Sequence, residues 1–194
     1  MILTPDFDEA THTYTVKGTV VSSVTQILKE RGYIQGAHYT EDSRRRGKAI
    51  HLATELYDKN NLDYIHPSIK GYLESYKLFR SDYAFTPTHI ELLMYHPTLG
   101  YAGTADRIGM VNGNLAILEI KTGLSRARWH LLQTAAYYTL ALLSGIYVTT
   151  RYGLYLQENG KYKIREHKQR EDMDYFMAAA ETTLGLKYYG GTYK

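Results

Sequence analysis

The stretch Gly100–Gly123, GYAGTADRIGMVNGNLAILEIKTG, decides the reading of the chain. Asn112-Gly113 within it is a strong hairpin signal, because a two-residue type I′ turn needs positive φ at both central positions. The flanks Arg107–Val111 and Leu115–Lys121 are rich in Ile, Leu, Val and Met and read as paired strands. With Val111 facing Asn114, the same register sets Asp106 opposite Glu119 and Thr104 opposite Lys121. Side chains alternate across a strand, so Glu119 and Lys121 share one face.

Facing carboxylates burden an ordinary sheet. Two full charges about 5 Å apart repel by roughly 3 kcal/mol at an effective dielectric near 20. The neighbours Ile108, Ile117 and Leu118 predict a partly buried sheet, where water relieves that cost poorly. Two readings fit the spacing. In one, a divalent cation turns repulsion into coordination, since hard oxygen donors suit magnesium or manganese. In the other, the hairpin is exposed and Glu119 with Lys121 is a surface pair.

Two helices carry further polar sets. Glu41–Asp58 predicts a helix with Asp42 or Ser43 near its start and Ala49, Leu52, Ala53 and Leu56 as its apolar stripe. Gly47, His51 and Glu55 lie on its other side with Arg44, as a solvated face or as a site. A glycine inside a helix costs about 1 kcal/mol relative to Ala, and close approach by another backbone or by DNA is a reason for one. Leu124–Ser144 predicts the longest helix, with Leu131, Ala135, Tyr138 and Leu142 toward the core. Arg126, His130, Gln133 and Tyr137 then form a polar face.

At these residues a resemblance emerges. Asp106 followed by Glu119-Ile120-Lys121 resembles the signature of the PD-(D/E)XK nucleases, an acid preceding acid-x-Lys across a hairpin; Ala105 stands where the nominal Pro would. Arg46-Gly47-x-x-x-His51-x-x-x-Glu55 resembles the helical motif of the RecB-type branch, and Gln133-x-x-x-Tyr137 its fourth motif. The opening run around Tyr14–Leu28 resembles the leader of phage-borne RecB-type nucleases.

The resemblance implies an α/β, restriction-endonuclease-like core: a mixed central sheet of about five strands flanked by helices, with an N-terminal hairpin. It implies one or two Mg2+ or Mn2+ ions held by His51, Asp106, Glu119 and the Ile120 carbonyl. Asp106, Glu119 and Lys121 would be catalytic, with Lys121 positioning the attacking water. Arg44, Arg46, Arg126, Gln133 and Tyr137 would bind DNA, Tyr137 by stacking on a base. Glu55 and Glu91 match frequently acidic positions and would stand behind the metal ligands. The implied activity is a stand-alone exonuclease of phage recombination or DNA processing, with a single-strand annealing or recombination protein as a partner. A PD-(D/E)XK endonuclease and a non-catalytic DNA-binding protein of the same fold are the alternatives.

Composition narrows the class. The chain has 194 residues and no cysteine, which excludes disulfides, thiolate metal sites and the iron–sulfur subgroup of RecB-type nucleases. The length predicts one nuclease domain over 1–194, with 1–40 as a hairpin and helix packed on it. No apolar run reaches 18 residues and no basic n-region opens the chain, so a cytoplasmic protein is expected. Thr11–Ser22 predicts a hairpin and Val24–Lys29 a short helix capped by Ser23. Ile65–Arg80 predicts a helix, Thr86–Tyr95 a strand, Val148–Gln157 with Lys161–His167 a second hairpin, and Asp172–Gly185 a closing helix. Residues 186–194 read as a mobile Gly- and Tyr-rich tail.

Overall fold

The computed structural model describes residues 3–35, 40–122 and 127–188. The central hairpin forms as its turn dictates: Asn112 (φ 47°) and Gly113 (φ 82°) both take positive φ. Strand β5 (Tyr101–Val111) pairs antiparallel with β6 (Asn114–Lys121), from Val111↔Asn114 to Arg107↔Leu118. The ladder ends one pair short of Asp106 and Glu119. Along its other edge β5 pairs from Met110 to Tyr101 with β4 (Thr86–His96), and β6 runs parallel to β7 (Thr150–Leu156), itself joined to β8 (Tyr162–Glu166).

These are the five expected core strands, but the sheet has eight. The N-terminal segment adds β1 (Asp6–Asp8), β2 (Thr13–Val16) and β3 (Thr19–Ser23), and β3 joins β5 in parallel at Ser22↔Tyr101 and Ser23↔Ala102. Parting of β5 from β6 leaves an open edge, and β3 fills it. The hairpin is thus part of the sheet rather than a layer on top of it.

Among the described residues, five helices cover the two faces. On one side lie α1 (Val24–Glu30), α4 (Trp129–Leu143) and α5 (Glu171–Tyr188), burying Ile27, Leu28, Leu132, Ala136, Leu140 and Phe176 against Ile108 and Ile117. On the other lie α2 (Glu41–Asp58) and α3 (Pro67–Asp82), where Ile50, Tyr72, Tyr76 and Phe79 meet Leu118, Ile120 and Leu154. Ser23 caps α1 through a reciprocal box with Gln26, while α2 starts at Glu41 as expected and is capped by Thr40. The α5 helix runs on to Tyr188, where a tail was expected from 186; the remainder of that tail lies outside the described residues. No helix among the described residues is long and apolar enough to cross a membrane.

Two helix faces differ from the periodic reading. In α2 the buried residues are Ile50, Ala53 and Thr54; Leu52 is 54% exposed and Ala49 is exposed. The face that is buried carries Ile50 and Thr54 together with Asp58, which meets Arg107 inside. In α4, His130, Gln133, Thr134 and Tyr137 are buried along with Leu132 and Ala136, so the polar face expected at the surface is interior. A helix apolar nearly all round is enclosed on most sides. Its polar groups survive there because they are partnered: Thr134 Oγ1 lies 2.8 Å from His167 Nδ1, and Tyr155 Oη 3.1 Å from His130 Nδ1. Burial pushes both imidazoles down to about 3, so they are neutral at pH 7.

Candidate active site

The site lies where β5 and β6 part. A strand–strand bond is replaced there by a side chain: the Ile120 N–H donates to Asp106 Oδ2 at 2.6 Å. From α2, His51 places Nδ1 3.4 Å from Asp106 Oδ1. Ile50 and Thr54, buried to either side of His51 in sequence, hold the helix so that this imidazole looks at the sheet.

The third member is Glu91, in the middle of β4. Its φ of 50° is left-handed, a conformation that costs a non-glycine residue about 1–3 kcal/mol. The β4–β5 register runs from Ile90↔Arg107 to Leu92↔Ala105, and Glu91 and Asp106 are left unpaired between them. The result is a set of ligand atoms from His51, Glu91 and Asp106, all within 4.8 Å of one another. Sequence reasoning put Glu91 behind the metal ligands; the structure puts it among the candidate ligand atoms. The turn of backbone that brings it there has no signature in a strand-forming sequence.

Glu119 and Lys121 stand beside this group on one face of β6, as alternation requires. Lys121 Nζ donates to Glu119 Oε1 at 2.8 Å and to Gln133 Oε1 at 2.9 Å, and Gln133 Nε2 donates to the Tyr137 hydroxyl at 3.0 Å. The other Glu119 oxygen, Oε2, is buried with no hydrogen-bond partner. A buried carboxylate oxygen without a partner is costly. It is accounted for if a cation sits there, and a set of carboxylate oxygens with one imidazole suits a divalent ion of the magnesium or manganese kind.

Electrostatics agree with that fit. Burial, and then repulsion from Asp106, push the Glu91 carboxyl up to about 8 and that of Glu119 up to about 7. Asp106 moves the opposite way: burial alone would raise it, but the His51 charge and hydrogen bond, Lys121 and the Ile120 N–H together hold it below its usual range. His51 also loses to burial and gains more from Asp106, so its pKa is raised. The metal-free protein therefore holds protons on Glu91 and Glu119 that its unfolded chain releases above about 4.5. Stability from this source is present below the unfolded value and is lost as pH rises through about 7 to 8. Divalent cations displace those protons. The rise in melting temperature on adding Mn2+ is expected to be larger at pH 8 than at pH 6, and Glu91→Gln should reduce that difference. Differential scanning calorimetry at the two pH values checks it; a rise independent of pH would place the ion elsewhere.

The remaining predicted site residues fall out unevenly. Arg44 and Arg46 are exposed on the first turns of α2, ahead of His51. Glu55, expected to stand behind the metal ligands, pairs with Lys59 at 2.5 Å. Among the described residues, a Cβ at Gly47 would meet only Thr122 Oγ1, at 3.7 Å. Gln133 and Tyr137 are 4% exposed each. The Tyr137 ring packs on Gly103, where a Cβ would come within 2.7 Å of it, and so has no face open to a base. Arg126 lies outside the described residues.

A second polar group escaped the sequence reading. Arg107 is fully buried, and its guanidinium donates to Asp58 Oδ2 at 2.6 Å, to Glu91 Oε1 at 2.9 Å and to Thr54 Oγ1 at 3.2 Å. Asp58 also accepts from Tyr76 Oη at 2.6 Å and from Arg80 Nη1 at 2.8 Å. This network ties α2, α3, β4 and β5 together directly behind Glu91. Its one sequence signal is an arginine in a strand whose neighbours are apolar.

No protein-family profile and no curated protein sequence matches the chain. Among solved structures it is similar to a candidate exonuclease from Eubacterium rectale, with a TM-score of 0.56 and 10% identity over 89% of this chain and 82% of that one. An alkaline exonuclease from Laribacter hongkongensis aligns over 88% of this chain and 92% of its own, with a TM-score of 0.43 and 12% identity. The first likeness is one of fold.

Proposed function

We propose that the chain is a divalent-metal-dependent deoxyribonuclease that hydrolyses phosphodiester bonds from DNA ends. The observation that carries this reading is the convergence of His51, Glu91 and Asp106 beside a buried Glu119 oxygen that lacks a partner. His51, Glu91, Asp106 and Glu119, with the Ile120 carbonyl, would hold one or two ions. A bound divalent ion supplies Lewis acidity at a phosphate and makes water a better nucleophile near neutral pH.

The chain's own groups do the rest. Lys121 presents a positive charge fixed between Glu119 and Gln133, suited to charge developing on a phosphoryl oxygen. Tyr137 supports it indirectly. By accepting from the Gln133 amide nitrogen, it turns the amide oxygen toward Lys121. Gln133 and Tyr137 are thus positioning residues for the lysine rather than DNA contacts. Arg44 and Arg46 would meet the phosphate backbone through salt-sensitive contacts. Action from ends, and a setting in phage recombination in a host cytoplasm, rest on the resemblance to stand-alone exonucleases, since Tyr137 offers no stacking face.

Incubation with linear and covalently closed circular DNA, in Mg2+, Mn2+ or chelator, tests the reading. Linear DNA should be degraded with either metal, circles spared, and chelator should stop the reaction. Discrete fragments from circles would establish an endonuclease, and DNA binding without cleavage under any metal would establish a non-catalytic binder.

A further inference from the structure

Burial of Tyr137 leaves the site without the aromatic face expected of it, and another residue occupies the corresponding place. Trp129, the only tryptophan in the chain, opens α4, and Lys121 Nζ lies 4.9 Å from its ring centroid. The indole is half-buried, packed on the core at one side, with the His130 ring edge-on at 4.1 Å between centroids and an interplanar angle of 75°. The Tyr155 hydroxyl in turn lies 3.1 Å from His130 Nδ1. The ring is therefore fixed before any substrate arrives. Arg128, its neighbour, is exposed.

Resting on the nuclease reading above, we infer that Trp129 is the stacking residue that receives a nucleobase next to the phosphate held by Lys121. A phosphate oxygen that hydrogen-bonds Lys121 Nζ comes to rest beside the indole, because the ammonium already sits against that ring. The base attached to the same or the adjoining sugar is then within reach of the ring's exposed part. Stacking of this kind tolerates any base and needs one that is unpaired, as at a frayed end or a single strand. A locked ring gives up little freedom on binding, which favours affinity. Lys121 lies over the ring, and the base meets the part of the indole that Lys121 and the core leave exposed.

The single indole makes the test direct. In chelator, where no cleavage occurs, a short single-stranded oligonucleotide is titrated into wild-type protein while tryptophan emission is followed, and anisotropy of a labelled copy reports binding independently. Emission should be quenched in step with the anisotropy change. Trp129→Leu should weaken oligonucleotide binding by about tenfold to a hundredfold, and Trp129→Phe should recover most of it. Unchanged emission at saturating anisotropy, or wild-type affinity in Trp129→Leu with an unchanged circular dichroism spectrum, would overturn the inference while leaving the nuclease reading in place. If anisotropy shows no binding at any concentration, with Ca2+ in place of chelator as well, the nuclease reading falls and this inference with it.

Discussion

Asp106→Asn and Glu119→Ala are each expected to lower DNA cleavage by at least about a thousandfold, with weakened or absent Mn2+ binding by calorimetry. Asp106 accepts the Ile120 N–H, faces His51 at 3.4 Å and contributes to the one group of candidate ligands found among the described residues. Asparagine keeps the acceptor for Ile120 and removes the charge, so it separates metal binding from folding. Glu119 offers the oxygen that has no partner. Ligand-derived stabilisation of several kcal/mol, at about 1.4 kcal/mol per tenfold in rate, gives the size of the loss. Asp106 is held ionised by His51, Lys121 and the Ile120 N–H, so metal-free Asp106→Asn should melt somewhat below the wild type. Wild-type cleavage, or unchanged Mn2+ affinity, in either variant would refute the assignment.

Asp58→Ala is expected to cost about 3–5 kcal/mol of stability, because it leaves the Arg107 guanidinium buried with its main counter-charge gone. For a domain of this size that corresponds to a fall in melting temperature of roughly 6–20 °C. Arg107 and the Asp58 side chain are each 0% exposed, so water cannot take the place of the lost carboxylate. Arg80 and Tyr76 lose a partner at the same time. The consequence reaches the site, since Arg107 also holds Glu91 at 2.9 Å. Mn2+ affinity should therefore fall in a variant that touches no ligand. Urea unfolding and Mn2+ titration check the two effects; a loss below about 1 kcal/mol would mean that the pair contributes little beyond what an apolar packing would supply.

The central hairpin was legible because its determinants are local. Asn112-Gly113 selects the turn, the turn selects the register, and the register ran as expected down to Arg107↔Leu118. The placement of Glu119 and Lys121 on one face followed from alternation alone. Helix α2 also appeared with its predicted bounds, Glu41–Asp58, because its periodicity and the absence of breakers suffice. Which face it buries did not follow. The stripe Ala49, Leu52, Ala53 and Leu56 lost to Ile50, Ala53 and Thr54, a face that also carries Asp58 to Arg107, 49 positions away in the chain.

The sequence by itself therefore determined the hairpin, its register and the presence of an acid-x-Lys strand, all of which depend on residues within a few positions of each other. Tertiary structure alone decided that β5 and β6 part at Asp106, that Glu91 leaves its ladder to join His51, and that α4 sinks into the core. Each of these is set by contacts between segments distant in sequence, where neither periodicity nor turn chemistry carries information. The same holds for the aromatic residue beside Lys121. Tyr137 and Trp129 lie on one helix, and only its packing against Gly103 and the core determined which ring stayed at the surface.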